Sequence, residues 1–449
     1  MAEHRPGPVA PVAGAAAAFA AVTTLFFAWG FITSLIDPLV ASVKGIFTLS
    51  NVEAQASAFA FFFAYFVMSF PGAVLLARLG SAKTIILSLV VMAAGCLIML
   101  GAANIAQYPL VMLGLFVLAS GITVLQVAAN PLAAALGDPR HSHLRLTLSQ
   151  TFNSFGTFIG PMLGAHLFLK NVEVKPGTVI TDAVRAGALG GIDTAYVWIC
   201  GMIAALAVFF FLNRRLVSAA APPAPPAHGG IAALIADACR SRWALFGGLA
   251  IFLYVGAEVS IGTQMALFLN SDPIWGRSDA PFGVPLLGFS MGSDGVSGVS
   301  LQEAGKAVAF YWGGAMIGRA IGSALLARIP AARLLALFTA IACAMSLYVV
   351  AVGGVSAGFV ALCIGLFNSI MFPVIFTLTL ERSGASQEAT SGLLCTSIVG
   401  GAFLPLLTGA VADATSYSSA LVVPAVCYAV LCLFATRAAK TAPVRAASE

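Results

Sequence analysis

Two acidic residues inside long apolar runs are the first candidates for chemistry in this chain. Asp37 lies in AAVTTLFFAWGFITSLIDPLVASV, and Glu258 lies in FGGLAIFLYVGAEVSIGTQMALFL. An ionised carboxylate in such surroundings is costly unless it faces a polar cavity, water or a partner charge. Because the two acids occupy related places in the two halves of the chain, they predict a polar path for a substrate or an ion. Two acids held in structural ion pairs are the alternative.

Uncharged polar residues in neighbouring apolar runs extend this candidate site. With the two acids, the candidate binding residues are Asp37, Gln126, Asn130, Gln150, Asn153, Glu258, Gln264, Trp312 and Asn368. Amides and carboxylates bind hydroxyl groups by paired hydrogen bonds, whereas an indole stacks on an apolar face, so the set suits a sugar. The alternative is that the amides join helices by hydrogen bonds. Asp37 and Glu258 are also the candidates for coupling to a cation.

Arg319 is a basic residue in a further apolar run, GGAMIGRAIGS, which follows the run that contains Glu258. Its side chain could pair with Glu258, or it could extend along its aliphatic stem toward the cytoplasm. The glycines around Arg319 predict that helices approach each other closely at this point.

Enzymatic chemistry is not indicated by the sequence. The eight cysteines are scattered, and no Cys or His cluster has the spacing of a metal site. The absence of a GKS or GKT motif argues against an ATP-driven pump, and the absence of a nucleophile–base pair argues against an enzyme. We therefore predict no catalytic residue, no metal and no cofactor. A proton relay through His166 is a minor alternative.

The composition predicts the elements that position these residues. Hydrophobic residues make up 60% of the chain and charged residues 9%, and the mean hydropathy is +0.99, which excludes a soluble globular protein. A helix of about 20 apolar residues crosses about 30 Å of hydrocarbon. The sequence predicts an all-α polytopic membrane protein with twelve transmembrane helices in two pseudo-symmetric six-helix bundles. The predicted spans are 16–43, 54–77, 84–103, 108–136, 145–169, 194–213, 244–270, 303–327, 333–352, 355–380, 388–412 and 416–436.

A proline-rich segment separates six spans from the other six. The prolines of LVSAAAPPAPPAHGG, residues 216–230, cannot continue a helix, so the segment is predicted to be an exposed linker. The run IAALIADACRSR that follows predicts a short surface helix. The predicted parts are a cytoplasmic tail at 1–15, a first six-helix bundle at 16–213, a cytoplasmic linker at 214–243, a second six-helix bundle at 244–436 and a cytoplasmic tail at 437–449.

Matching motifs relate the two halves. They occur in the same order along each half, which is the pattern of an internal repeat, as many transporters have. The matched positions are Gly30 with Gly256, Pro131 with Pro373, and Gly156 with Gly400.

The basic residues predict the orientation in the membrane. Lys and Arg concentrate in the loops of one side and favour the cytoplasm, so both termini are expected to be cytoplasmic. The net charge of +5 therefore comes from basic residues in the loops that flank the lipid bilayer, and it does not indicate a nucleic acid partner. We expect a monomer. Two matching loops, ARLGSAKT and ARIPAARL, predict cytoplasmic gating by Arg78, Lys83, Arg328 and Arg333, with membrane topology alone as the alternative.

Six segments resemble the fucose/galactose/glucose:cation symporter family of the major facilitator superfamily, and most strongly its glucose/galactose branch. They are FFAWGFITSLIDPLVASVK, LQVAANPLAAALG, RLTLSQTFNSFGTFIGP, FLYVGAEVSIG, YWGGAMIGRAIGS and GLFNSIMFPVIFTLTLE, and they cover both halves. The resemblance implies the major facilitator fold in a bacterial inner membrane. It also implies import of a hexose, such as glucose or galactose, by alternating access around a central sugar site with coupling to protons or sodium.

The resemblance also bears on the coupling ion. Asp37 matches the carboxylate of the family's first span, which is implicated in binding and proton coupling in the fucose permease. Gln126 stands where fucose permeases carry a second carboxylate, so the resemblance does not extend to that second acid. Protons with one acid, sodium and uncoupled facilitation remain open. A transporter of another small polar solute or of a drug, and a membrane sugar sensor, are the other hypotheses.

Overall fold

The described part of the chain is built from α-helices. The structure, a computed structural model, describes residues 14–47, 51–105, 107–167, 182–221, 230–276, 299 and 301–444, and no β-strand occurs among them. Residues 1–13, 222–229 and 445–449 of the predicted tails and linker lie outside the described part. The helices are α1 (Ala15–Phe47), α2 (Asn51–Leu79), α3 (Ser81–Ile105), α4 (Tyr108–Ala135), α5 (Ser142–Leu167), α6 (Asp182–Leu212), α7 (Arg214–Ala220), α8 (Ile231–Arg240), α9 (Arg242–Asn270), α10 (Leu301–Leu326), α11 (Ala331–Val352), α12 (Gly354–Asn368), α13 (Met371–Arg382), α14 (Gln387–Thr396), α15 (Gly400–Ala414), α16 (Tyr417–Ala420) and α17 (Val422–Lys440).

These helices coincide with the predicted spans. The first nine spans correspond to α1 to α6 and α9 to α11, and the last three to the pairs α12–α13, α14–α15 and α16–α17. Within the described residues, nine helical segments are long and apolar enough to cross a membrane, or ten if the bent pair α6–α7 is one span. Helices α5 and α10 also have spanning length, 26 residues each, although polar residues lower their hydropathy. The prediction of an all-α polytopic membrane protein is confirmed.

Glycines bring the first and fifth spans of each half into backbone contact. A Cβ at Gly30 of α1 would overlap the carbonyl oxygen of Asn153 on α5, and a Cβ at Gly156 would meet α1 in the same way. In the C-terminal half, a Cβ at Gly400 would overlap the carbonyl oxygen of Phe252 on α9. These approaches require glycine, and they fix the depth at which the polar residues of these helices lie.

Pro131 leaves a carbonyl on α4 without its helical donor. Proline has no N–H, so the carbonyl of Val127 cannot accept the usual bond from the residue four positions later. Ser391 of α14 donates its hydroxyl to that carbonyl at 2.9 Å. Because α14 belongs to the other half of the chain, this bond joins the halves. The matched Pro373 has a similar effect at the site described below.

Helix α8 joins the two halves at one end of the molecule. This end, the termini end, is where α2, α13 and α17 end and where α5 and α14 begin. Asp237 of α8 accepts hydrogen bonds from the backbone N–H and the hydroxyl of Ser386, at 2.9 and 2.8 Å, and Ser386 caps α14. Ala238 packs near Phe70 of α2 and Ala389 of α14. The short helix predicted after the linker is therefore present.

Candidate functional site

Arg319 of α10 contacts α5, α9 and the turn between α12 and α13 near the middle of the spans. Pro373 cannot donate to the carbonyl of Ser369, and Arg319 Nε donates to that carbonyl at 2.9 Å. One terminal nitrogen of Arg319 donates to the hydroxyl of Ser154 on α5, in the N-terminal half. The other lies 3.5 Å from a carboxylate oxygen of Glu258 on α9. Ser154, Arg319 and Glu258 are called the Arg319 link below.

Buried polar side chains of the C-terminal half surround Glu258. The hydroxyl of Tyr311 donates to the backbone carbonyl of Glu258 at 3.2 Å, and the amide of Asn368 donates to the same hydroxyl at 2.7 Å. Tyr254 and Tyr428 also lie close to the carboxylate. Both side chains of the ion pair are 13% exposed, so the pair is largely but not completely shielded from solvent. Asn368 thus contacts a tyrosine inside its own half.

Trp312 and Gln150 lie on the two helices that meet at the Arg319 link. Trp312 precedes Arg319 by seven residues, or two turns, so both lie on one face of α10, about 10 Å apart along its axis. The indole is 41% exposed and packs against Gly262 of α9. Gln150 is buried and lies one turn before Ser154 on α5. The aromatic ring of Trp312 therefore lies on one side of the link along the helices, and the amide of Gln150 lies on the other.

The other amides of the N-terminal half contact neighbouring helices. Gln126 of α4 donates to the hydroxyl of Tyr65 on α2, and Asn153 donates to the carbonyl of Phe26 on α1 at 3.0 Å. These two contacts fit the alternative in which amides join helices. Asn130 lies one turn after Gln126, and neither atom of its buried amide has a partner among the described residues.

One predicted binding residue of the C-terminal half, Gln264, lies away from the Arg319 link. Gln264 follows Glu258 by six residues on α9, which turns it about 120° away from the acid. Its amide donates to the carbonyl of Pro405 at 3.3 Å, and it lines a small cavity inside the C-terminal half. Asp37 lies on α1, and its side chain is outside the described part of the structure, as is that of His166.

A second polar cluster joins the halves at the termini end. His143, near the start of α5, is hydrogen-bonded through Nδ1 to the hydroxyl of Thr377 at 2.5 Å. Its Nε2 lies 3.1 Å from a carboxylate oxygen of Glu381 on α13, and Ser142 donates to the same oxygen at 2.9 Å. Arg382 lies 3.3 Å from the other oxygen. These five residues, the termini-end cluster, hold the start of α5 against the end of α13.

The four predicted gating residues lie at the termini end but outside this cluster. Their side chains are exposed, and none forms an ion pair with an acid among the described residues. Their gating role stays a prediction. The residues concerned are Arg78, Lys83, Arg328 and Arg333.

Sequence reasoning did not single out Tyr65 or the termini-end cluster. Tyr65 is a polar group within the apolar run FFFAYF, which is the same kind of signal that identified the amides. In contrast, His143 and Glu381 flank predicted spans, where polar and charged residues are ordinary. Only the fold shows that these two residues are partners.

Comparisons with known proteins agree with this architecture. The chain matches the model of the Major Facilitator Superfamily over residues 17–396. It is 38% identical over 422 residues to a glucose/galactose transporter of Brucella abortus biovar 1 (strain 9-941), covering 93% of each chain. It is 29% identical over 433 residues to the L-fucose-proton symporter of Escherichia coli (strain K12), covering 94% of this chain and 93% of the relative.

A solved structure shares the fold over nearly the whole length. The crystal structure of the transporter FucP in the outward conformation matches with a TM-score of 0.80 and 27% identity, covering 95% of this chain and 100% of that one. The segments that carry the resemblance in sequence lie on the helices that form the Arg319 link and its surroundings. The chain therefore belongs to the major facilitator superfamily and, within it, to the fucose/galactose/glucose:cation symporter family.

Proposed function

We propose that this protein is a secondary sugar transporter that imports a hexose of the glucose or galactose type by alternating access. The observation that carries the proposal is the Arg319 link, where a shielded ion pair of one half meets a hydroxyl of the other. Around it, Glu258, Gln150 and Trp312 offer a hydroxyl acceptor, an amide and a stacking surface. A glucose/galactose transporter among the relatives supports the same substrate class. As a transporter, the protein has no enzymatic role.

Cation coupling is proposed for Asp37 and Glu258, the two acids identified within the spans. Binding of a proton or a sodium ion lowers the charge of an acid, which can shift the balance between two conformations. The L-fucose-proton symporter among the relatives supports coupling to a cation. Gln126 is permanently neutral and cannot carry a proton, so the acids of this chain differ from the pair in fucose permeases.

The proposed setting is a bacterial inner membrane, in which the protein is a monomer with both termini cytoplasmic. The basic loops on one side support this orientation, and the relatives named above come from bacteria. Two six-helix bundles, at 16–213 and 244–436, would move about the linker at 214–243. In this orientation the termini-end cluster lies on the cytoplasmic side and holds the two halves together there.

Uptake of radiolabelled glucose and galactose into proteoliposomes tests the proposal. The protein should accumulate a hexose under an inward proton or sodium gradient, and it should exchange that hexose in counterflow. Asp37→Asn should abolish accumulation and spare some counterflow, because exchange does not require release of the cation. Protein-free liposomes are the control. Failure to move any hexose in either assay would contradict the proposal.

Uncoupled hexose facilitation is the second candidate, and Gln126 in place of a family glutamate favours it. A facilitator exchanges and equilibrates hexose but accumulates none under a proton gradient or a sodium gradient. The same assays therefore separate the two candidates. Transport of another small polar solute would leave hexose flux at the level of protein-free liposomes.

A further inference from the structure

We propose that Arg319 is a positioning residue through which the charge of Glu258 controls a contact between the two halves. The proposal rests on the proposed transport function and adds a residue and a mechanism to it. One guanidinium holds three partners: the carbonyl of Ser369 in the turn between α12 and α13, the hydroxyl of Ser154 on α5 and the carboxylate of Glu258 on α9. The first two are in opposite halves of the chain, and the third is an ionisable group.

The break at Pro373 fixes the guanidinium. Because Pro373 has no N–H to donate to the carbonyl of Ser369, no helical hydrogen bond competes with the bond from Arg319 Nε, which is 2.9 Å long. Because the guanidinium is planar and rigid, fixing Nε also orients both terminal nitrogens. One then meets Ser154, and the other faces Glu258. A movement of Arg319 therefore changes both contacts together.

Ionised Glu258 stabilises the arrangement seen in the structure. The titratable groups that face it in the described part are Tyr254 on its own helix, Arg319 and Tyr311 on α10, and Tyr428 on α17. Arg319 is the cation of this set and balances the carboxylate. Neutral Glu258 would leave a shielded cation without its counter-ion, which is strongly unfavourable.

Neutralisation of Glu258 therefore weakens the hold of Arg319 on Ser154 and favours separation of α5 from α10. This is the direction that symport requires. A carrier loaded with cation and sugar can open at the termini end, whereas a carrier with sugar alone retains the link. Release of the cation restores the ion pair and favours return to the closed arrangement. By linkage, the closed arrangement binds the cation more weakly than the open one.

Ser154→Ala tests this link because it removes the contact between the halves and leaves the ion pair in place. Spin labels at the exposed positions Arg140 and Gly384, after replacement of exposed native cysteines, report opening of the termini end. Without sugar, acidification should raise the open population of the wild type. Ser154→Ala should raise it about tenfold at neutral pH, as expected for one hydrogen bond to a charged group. Its accumulation of hexose should fall, while counterflow persists.

Matched variants separate a link from simple packing. Ser154→Thr keeps the hydroxyl and should restore both wild-type readouts. Thr151→Ala is the control, since the Thr151 hydroxyl donates within its own helix, to the carbonyl of Thr147 at 3.0 Å. If Ser154→Ala behaves like Thr151→Ala in label distances and in accumulation, the proposal is wrong.

The double variant Glu258→Gln/Arg319→Gln removes both charges, so it leaves no unpaired charge to impair folding. Its open population should lose most of its response to pH, and a full response would overturn the proposal. The proposed function can fail separately. If the wild type accumulates no hexose but its label distances respond to pH and to Ser154→Ala as described, the link stands and the coupled function does not.

Discussion

At the scale of single residues, the ion pair between Glu258 and Arg319 determines which substitutions the mid-span region tolerates. A shielded charge is stable while its partner is present, and removal of one partner costs more than removal of both. The pair is 13% exposed on each side and lies 3.5 Å apart. The same pair therefore contributes to stability and provides the charge that transport would use.

Arg319→Gln should destabilise the protein by about 3–5 kcal/mol, because Glu258 then lacks its counter-ion. The double variant Glu258→Gln/Arg319→Gln should lose less than half of that, since no charge is left unpaired. Thermal unfolding in detergent at neutral pH measures both. Arg333→Gln is the control, as Arg333 is exposed. Equal losses in the single and double variants would show that the pair is not coupled.

The contact between Gln126 and Tyr65 gives a second prediction at this scale. Tyr65→Phe leaves a buried amide without its acceptor and should cost about 1–3 kcal/mol of stability. Tyr348→Phe is a matched control, because the Tyr348 hydroxyl contacts Ser356 at 3.0 Å in an exposed place. Thermal unfolding of the two variants gives the comparison. A loss no greater than that of the control would mean that the amide finds another partner.

At the scale of elements, close helix contacts decide where the polar residues lie. Gly30 and Gly156 place α1 against α5, and Gly400 places α15 against α9. These contacts occur at positions that the repeat in the sequence pairs. Since each helix is held at a fixed depth, Ser154 and Arg319 reach each other across the halves.

Gly30→Ala should separate α1 from α5 and destabilise the protein by about 1–3 kcal/mol, the usual cost of overpacking. Gly201→Ala on α6 should instead be neutral or stabilising by up to about 1 kcal/mol, because no atom lies within 4 Å of the added carbon and alanine favours the helix. Thermal unfolding of the pair measures the difference. Similar behaviour of the two variants would show that α1 and α5 can adjust at no cost.

Hydropathy was sufficient to predict the helices, because a span needs about 20 apolar residues whatever its neighbours are. The pairing of Glu258 with Arg319 was one of two alternatives from sequence, and the structure selects it. The sequence could not show that Gln126 and Asn153 join helices. An amide within an apolar run looks the same in sequence whether it binds a ligand or bonds to a neighbouring helix. His143 and Glu381 are 238 residues apart, and no pattern in the sequence indicated that they are partners.

At the scale of the whole molecule, contacts join the two halves at several depths along the helices, and each depth is one layer of contacts. The Arg319 link lies near mid-span, the bond from Ser391 to the Val127 carbonyl lies nearer the termini end, and the termini-end cluster lies beyond it. Alternating access requires that all of these contacts break together when the termini end opens. Each contact therefore biases one and the same equilibrium between closed and open arrangements.

Glu381→Gln should shift that equilibrium toward the arrangement open at the termini end. Glu381 is 27% exposed and His143 16%, so the ionic contribution is modest, about 1 kcal/mol or about fivefold in population. The label pair at Arg140 and Gly384 measures the shift. Asp413→Asn is the control, because Asp413 is an exposed acid on α15. A population equal to that of the control would mean that the cluster does not hold the end closed.

Combining Glu381→Gln with Ser154→Ala tests whether the layers act on one equilibrium. His143 and Ser154 are eleven residues apart on α5, about 16 Å along its axis, so their contacts are independent in the closed state. Effects of distant, independent sites add to within about 0.5 kcal/mol. The double variant should therefore open about as far as the product of the two single shifts. A double variant no more open than Ser154→Ala alone would show that the two layers separate at different steps of the cycle.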